Sequence, residues 1–168
     1  PEAFASVLML FISAKINGHA IQAFCDSGAQ STIMSKKLAI ACGLEDWIDE
    51  SMAGIAVGVG TNKIIGRIHS VQLQIQNTYF PCTITVLDDP PAGGKDIDFL
   101  LGLDMMKRHL CIIDLSKSCL KFQISPGQYL EAPFLHEHDL GTDKGGTQGF
   151  DAAASNAEFH KRMEEDDS

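Results

Sequence analysis

The sequence has little of what marks membrane proteins, disulfide-rich secreted proteins or zinc proteins. Its 168 residues include one tryptophan, two tyrosines and an odd number of cysteines, five, none of them in CxxC spacing. A disulfide framework or a zinc site is therefore disfavoured, and a reducing compartment such as the cytosol is favoured. No apolar run approaches the roughly 20 residues that a membrane helix needs. The apolar stretch at 7–12 also lacks the basic flank of a secretion signal.

Positive charge is scarce as well, and the shortage is concentrated near the end of the chain. The net charge is −9, and residues 126–168 hold ten acidic and three basic residues, against twelve and ten before them. Nucleic-acid phosphates demand positive charge, so we expect no nucleic-acid partner, and no membrane partner either. We predict one domain over 7–125 and an acidic, flexible tail or linker over 126–168. Because the chain begins with Pro1 rather than Met, we expect it to be a piece of a longer protein.

The pattern of residues 7–125 is typical of a β-rich domain. Asn17-Gly18 between two apolar runs predicts a hairpin, and the alternation of apolar and polar residues over 71–75 predicts a half-buried strand. Ser35 is expected to cap a short helix over 36–41, with Gly43 as its end. Strands are predicted at 7–16, 20–25, 32–34, 55–59, 63–68, 71–75, 79–87, 97–101, 111–115 and 119–124, and a second helix at 102–109.

Two distant pieces of sequence carry the chemistry. Asp26-Ser27-Gly28 follows a predicted strand and occurs once in this form. Alone it is weak evidence, since all three residue types form turns. About seventy residues later, Leu100-Leu101-Gly102 ends a second apolar strand that runs into a helix. The combination of the two pieces is more specific than either one.

Four ordered blocks carry a family resemblance over about residues 8–124. They are AFCDSGAQSTIMS at 23–35, GVGTNKIIGRIH at 58–69, FPCTITVLD at 80–88 and DFLLGLDMMKRHLCIIDL at 98–115. The sequence resembles the retropepsins, the retroviral class of aspartic proteases. More narrowly, it is similar to the protease-like domain of the Ddi-type (DNA-damage-inducible) ubiquitin-shuttle proteins. The resemblance implies an all-β, retropepsin-like acid-protease barrel with one or two short helices, active as a homodimer.

The resemblance also assigns roles to the first block. Asp26 matches the catalytic aspartate, and Ser27 is implied to hold the two active-site loops in register across the dimer. Gly28 is expected to allow close backbone approach, and Ala29 to line the substrate cleft. Two carboxylates that share one proton supply both the base and the acid of peptide hydrolysis. One aspartate per chain then requires a second copy.

The remaining blocks match a supporting strand and a flap. Leu100, Leu101 and Gly102 are implied to buttress the active-site loop, and residues 55–68 to form a hairpin that closes over the substrate. The substrate-facing residues of that hairpin are expected to be Gly58, Val59, Gly60, Thr61, Ile64 and Ile65. Arg67 and His69 are placed to make polar contacts at its base. The rival nucleotide fingerprint GxGxxG fails because Lys63 stands at its last position and the flanks predict strands.

Other polar residues are assigned no chemistry. His136-Glu137-His138 has no third ligand nearby in the sequence, so we expect no metal and no cofactor. Asp98 and Asp104, close to the supporting strand, are expected to be helix caps or solvated charges. Asp104 stands at a predicted helix N-terminus, where negative charge is favourable.

We therefore predict an aspartic endopeptidase that acts as a homodimer on protein or peptide substrates. The resemblance implies a role in ubiquitin–proteasome-linked turnover, ubiquitinated substrates, and a location in the cytoplasm and also the nucleus. The alternative is a catalytically weak or inactive dimerisation or peptide-binding adaptor with the same fold. A third class, a ubiquitin-binding protein, would need a surface patch that the sequence does not locate.

Overall fold

The computed structural model describes residues 10–55, 63–88 and 97–136, and this part of the chain is mostly β, as predicted. Its strands are β1 (Phe11–Ile16), β2 (His19–Cys25), β3 (Ile33–Ser35), β4 (Gly54–Ile55), β5 (Lys63–Ile75), β6 (Thr78–Leu87), β7 (Phe99–Leu101), β8 (Ile112–Asp114), β9 (Cys119–Ser125) and β10 (Gln128–Pro133). Its helices are α1 (Lys36–Ala41) and α2 (Leu103–Arg108), with 3-10 turns at Glu45–Trp47 and Glu50–Met52. No helix in these ranges is long and apolar enough to cross a membrane.

Six strands close into a barrel. They follow one another in the order β1, β2, β7, β3, β6 and β5, and β5 returns to β1 through the pairs Lys15↔Gln74 and Ile16↔Leu73. Strand β4 pairs with the beginning of β5. Closure satisfies backbone groups that an open sheet would leave at its edges. The barrel interior holds the largest fully buried side chains, among them Ile12, Ile68 and Ile84.

The first hairpin forms where the sequence predicted it. Asn17 and Gly18 both have positive φ, 51° and 78°, which is the conformation of a type I′ turn. Asparagine and glycine tolerate this backbone better than other residues. The turn sets the register of β1 against β2, with Ile16 opposite His19. Because side chains alternate between faces, this register places Ile12, Ala14 and Ile16 in the core.

The predicted helix cap is confirmed, and it has an unexpected partner. The Ser35 hydroxyl accepts a hydrogen bond from the Leu38 N–H at 3.1 Å and donates one to Asp98 Oδ1 at 2.7 Å. The Ser35 N–H donates to the Asp98 carbonyl at 2.9 Å. The Asp98 carboxylate is buried, and neither expectation for it, helix cap or solvated charge, was right. Instead, the Asp98 carboxylate accepts a hydrogen bond from Ser35, the residue at the end of β3 that caps α1.

A second sheet follows the barrel, in the order β10, β9, β8. The sequence analysis missed β10, which begins just after the boundary drawn between residues 125 and 126. Gly127 has φ 77°, the positive value that the third residue of a type II turn requires, and proline, here Pro126, is common at the second. Leu130, Ala132 and Phe134 are buried in the main core. Packed structure therefore extends past residue 125, and residues 137–168 of the proposed tail lie outside the described ranges.

Candidate active site

The loop that carries Asp26 begins where β2 ends. Strand β7 lies between β2 and β3, parallel to the first and antiparallel to the second. Cys25 pairs with Leu101, and Leu100 pairs with both Phe24 and Ile33. All three residues of β7 are buried. The two ends of the Asp26 loop are therefore supported from both sides of one buried strand.

The loop is held by its own backbone as well as by β7. The Asp26 N–H donates to the Leu101 carbonyl at 3.1 Å, and the Ala29 N–H donates to the Asp26 carbonyl at 3.2 Å. The Gly28 N–H donates to Asp26 Oδ1 at 2.9 Å, which orients the carboxylate. A Cβ at Gly28 would lie 3.1 Å from that same oxygen. Asp26 and Ala29 are half-buried, while Ser27 and Gly28 are exposed at the tip of the turn.

The start of α2 is bonded to the second half of the loop. The Leu103 N–H donates to the Ala29 carbonyl at 2.7 Å, and the Asp104 N–H donates to the Gln30 carbonyl at 3.1 Å. Gly102 makes this approach possible, because a Cβ there would lie 2.4 Å from the Ser31 carbonyl oxygen. The glycine is needed for space, since any larger residue requires the loop to move.

Thr32 and Asp104 form a contact that the sequence did not predict. The Thr32 hydroxyl donates to Asp104 Oδ1 at 2.7 Å, and the Thr32 N–H donates to Asp104 Oδ2 at 3.1 Å. The same hydroxyl accepts from the Gly102 N–H at 3.0 Å. Asp104 does lie in the first turn of α2, as expected, but it also closes the far end of the Asp26 loop. The two residues are 72 positions apart, so only the fold brings them together.

The predicted flap is described only at its base. Gly54 pairs with Ile64, and Ile55 pairs with Lys63, as in a hairpin. Ile64 and Ile65 are half-buried on β5, and Ile65 packs against the main core. The predicted tip residues Gly58, Val59, Gly60 and Thr61 lie outside the described residues. The flap role of 55–68 therefore stays a prediction.

A polar cluster ties the base of this hairpin to the preceding 3-10 turn. Asp49 and Arg67 exchange two backbone hydrogen bonds, of 2.8 and 3.2 Å. The Asp49 carboxylate lies 2.7 Å from His69 Nε2 and also accepts from the Ser51 hydroxyl. The hydrogen bond from the Ser51 hydroxyl makes the largest contribution, and that from His69 the next, to lowering the pKa of Asp49 to about 2. Arg67 and His69 thus both make polar contacts with Asp49 at the hairpin base, Arg67 with its backbone and His69 with its ring.

Burial raises the pKa values of Cys25 and Cys111. Cys25, directly before Asp26, is buried, and burial raises the pKa of its thiol well above the usual range, with a smaller contribution from Cys111. Burial raises the pKa of Cys111 to about 12. A thiol that stays protonated at neutral pH is a poor nucleophile. Within the described ranges, no three His, Cys, Asp or Glu side chains are grouped to hold a metal ion.

The comparison with known sequences agrees with this geometry. The aspartyl protease family pattern matches residues 1–114. DNA damage-inducible protein 1 of Cryptococcus neoformans is 47% identical over 140 residues, which are 83% of this chain and 30% of that protein. Protein DDI1 homolog 2 is 52% identical in Danio rerio and 48% in Homo sapiens, again over 83% of this chain. The chain spans about a third of these relatives, 32% and 33% of the last two.

A solved structure gives the same result for the fold. The retroviral protease-like domain of Ddi1 from Leishmania major is 40% identical and superposes with a TM-score of 0.69. The match covers 80% of this chain and 99% of that domain. The chain therefore belongs to the aspartyl protease family and, within it, to the retroviral protease-like domains of the Ddi1 type.

Proposed function

We propose that this chain is an aspartic endopeptidase that works as a homodimer, in which each copy contributes Asp26. The observation that carries the proposal is the loop itself. Asp26 is partly exposed, its carboxylate is oriented by the Gly28 N–H, and its backbone is fixed to buried β7. A carboxylate presented in this way on a rigid frame suits a reaction that depends on position.

The chemistry needs two such carboxylates. The ionised member takes a proton from a water molecule, whose oxygen attacks the peptide carbonyl carbon. The protonated member gives its proton to the carbonyl oxygen, which forms a neutral gem-diol. The gem-diol then collapses: the carboxyl that took the proton from water gives it to the nitrogen, the other carboxylate takes a proton from a gem-diol hydroxyl, and the C–N bond breaks. The products are a carboxylic acid and an amine, and the pair is back in its starting state. A shared proton is favourable here because two like charges about 3 Å apart cannot both ionise.

An exposed apolar strand supports the pairing of two copies. Leu110 is 61% exposed and Leu115 69%, and between them Ile112 and Ile113 on β8 are 43% and 37% exposed. Strand β8 is the edge of its three-stranded sheet within the described chain. Exposed apolar residues in a row on an edge strand mark a protein contact.

The cysteine alternative is disfavoured by the same structure. A thiol protease needs a thiolate, whereas burial raises the pKa of Cys42 and of Cys82 to about 12, as it does for Cys111. Burial raises the pKa of the Cys25 thiol as well. A pair of Asp26 carboxylates is therefore better suited than any of these thiols to the proposed reaction.

The biological setting is proposed on the resemblance to Ddi-type proteins. We place the substrates among proteins or peptides, including ubiquitinated proteins, and the activity in ubiquitin–proteasome-linked turnover. We place the protein in the cytoplasm, with the nucleus as a second location. The net charge of −9 disfavours binding to the phosphates of nucleic acid and so favours another kind of partner.

Cleavage of a peptide library by the wild-type chain and by Asp26→Asn tests the proposal. The wild type should cleave, and the variant should lose activity while its circular dichroism and sedimentation stay unchanged, because an amide replaces a partly exposed carboxylate of the same shape. Substantial cleavage by a clean Asp26→Asn preparation would rule the mechanism out. Binding of peptides without cleavage by the wild type would favour the adaptor function instead.

A further inference from the structure

We propose that Thr32 and Asp104 are positioning residues that set the place of the Asp26 carboxylate relative to its counterpart in the second copy. The inference rests on the proposed function and deepens it. It assigns to this hydroxyl–carboxylate pair control over the rate of the chemical step rather than over peptide binding or dimer formation.

The first argument is the completeness of the contact. Asp104 Oδ1 accepts from the Thr32 hydroxyl at 2.7 Å and from the Met105 N–H at 2.7 Å, and Oδ2 accepts from the Thr32 N–H at 3.1 Å. The Thr32 hydroxyl in turn accepts from the Gly102 N–H. Thr32 is fully buried, at 0% exposure. A hydrogen-bond network around a buried hydroxyl holds one geometry when each member is satisfied, because a shift leaves a polar group unpaired.

The second argument is where the contact lies along the loop. The Asp26 loop is tied at its start to Leu101, in its middle to Leu103 and Asp104, and at its end, through Thr32, to Asp104. All these partners fall within four consecutive residues, 101–104. The loop therefore moves with the junction of β7 and α2 as one unit. Release of the Thr32 contact frees the end of the loop that follows Asp26.

The third argument is the symmetry of the proposed dimer. Each copy supplies one carboxylate at the two-fold axis, so a displacement of the loop occurs twice, once on each side. A misplacement of about 1 Å can reduce a rate about a hundredfold. The Thr32 side chain is fully buried and so is not itself placed to contact a substrate or a second copy. A small loop shift should therefore change kcat far more than KM or the dimer dissociation constant.

A pair of substitutions at one position separates positioning from general stability. Thr32→Val keeps the shape but removes the hydroxyl. Asp104 Oδ1 then keeps only the Met105 N–H as a donor, and the Gly102 N–H loses its acceptor. Thr32→Ser keeps the hydroxyl and loses only a methyl group. We expect Thr32→Val to lower kcat about tenfold to a hundredfold with KM and the dimer constant within about twofold of wild type. We expect Thr32→Ser to retain most of kcat.

The chain offers a matched control in Ser35→Ala. Ser35 likewise donates its hydroxyl to an aspartate, Asp98, at 2.7 Å, and it lies at the end of β3, which begins directly after Thr32. Ser35→Ala should lower the free energy of unfolding without lowering kcat per folded dimer. If Thr32→Val and Ser35→Ala change kcat alike, or if Thr32→Val keeps full kcat, the positioning role is wrong. Asp104→Asn tests the same contact from the carboxylate side. The amide nitrogen of the asparagine would face the Thr32 N–H, so that two donors would oppose each other.

Amide hydrogen exchange makes the test independent of activity. The reporters are the Asp26 and Leu103 N–H groups, which bond to Leu101 and Ala29. In Thr32→Val they should exchange faster than the loss of global stability explains, whereas in Ser35→Ala they should follow global stability alone. An inactive wild type would overturn the proposed function but leave this comparison intact. Unchanged exchange at both amides in Thr32→Val would overturn the positioning role whether or not the protein cleaves peptides.

Discussion

The backbone N–H of Asp26 donates to the carbonyl of Leu101 at 3.1 Å. The proposed catalytic residue is therefore hydrogen-bonded to β7, a strand whose three side chains are all buried. Fixed position of this kind is what carboxylate catalysis requires, because neither carboxylate is a strong acid or base by itself. The apolar residues of β7 thus contribute to function through the rigidity that their burial provides. A change that moves β7 or its junction with α2 should therefore disturb the chemistry.

Gly102→Ala tests this dependence. The new Cβ would lie 2.4 Å from the Ser31 carbonyl oxygen and 3.0 Å from that of Ala29, so the loop must shift. Overpacking of this kind costs about 1–3 kcal/mol of the free energy of unfolding. We expect that loss in urea titration, together with a fall in kcat. Gly54→Ala is the stability control, since its Cβ would meet nothing within 4 Å. If the two variants had the same free energy of unfolding, the loop could accommodate a Cβ at position 102 and the argument would be wrong.

The dimer surface can be tested by a charge on β8. Ile112→Lys should weaken dimerisation, because it buries a charge at the proposed contact. Ile40→Lys is the control: Ile40 lies on α1 and is 48% exposed, close to the 43% of Ile112. Sedimentation at micromolar concentration should give a mass near 18.2 kDa for the first variant and about twice that for the second and the wild type. A dimer that survives Ile112→Lys unchanged would exclude β8 as the contact.

The stability of the second sheet should fall in acid through Asp114. The Ser116 hydroxyl first, and then the Lys117 N–H and the Lys121 ammonium, lower the pKa of Asp114 to about 2. Since the native pKa lies below the value of about 3.9 in the unfolded chain, the stability that Asp114 contributes is present above about pH 4 and lost as the pH falls towards 2. Asp114→Asn should therefore unfold more easily than wild type at pH 6 and differ less from it at pH 3. An equal difference at both pH values would contradict this assignment.

Local patterns in the sequence predicted the parts of the fold that depend on neighbouring residues. Asn17-Gly18 predicted the first hairpin and Ser35 the cap of α1, because turn and cap chemistry acts over two or three positions. The Pro126-Gly127 turn was an equally local signal, but the acidic composition beyond it led to the interpretation of a tail. Strand β10 was missed for that reason, since its alternation covers only six residues.

Local patterns could not predict the contacts that fix the Asp26 loop, because these contacts join residues far apart in the sequence. Thr32 and Asp104 are 72 positions apart and Ser35 and Asp98 are 63 apart, so neither pair has a sequence spacing that marks it. Asp98 and Asp104 were expected to be helix caps or solvated charges because isolated aspartates usually are. The family resemblance pointed to Asp26 and to β7, but not to the hydrogen bonds that connect the loop to α2.

The most direct measurement of the central claim is the activity of mixed dimers. Wild-type and Asp26→Asn chains are unfolded together and refolded in varied proportions at a constant total concentration, so that copies pair at random. If each dimer needs two Asp26 carboxylates, activity should follow the square of the wild-type fraction, and an equal mixture should keep about a quarter of the full rate. Mixing the two proteins after separate refolding, without time for exchange, is the control and should keep about half. A linear dependence in the co-refolded series would show that one chain is active by itself, and the shared-dyad account would be wrong.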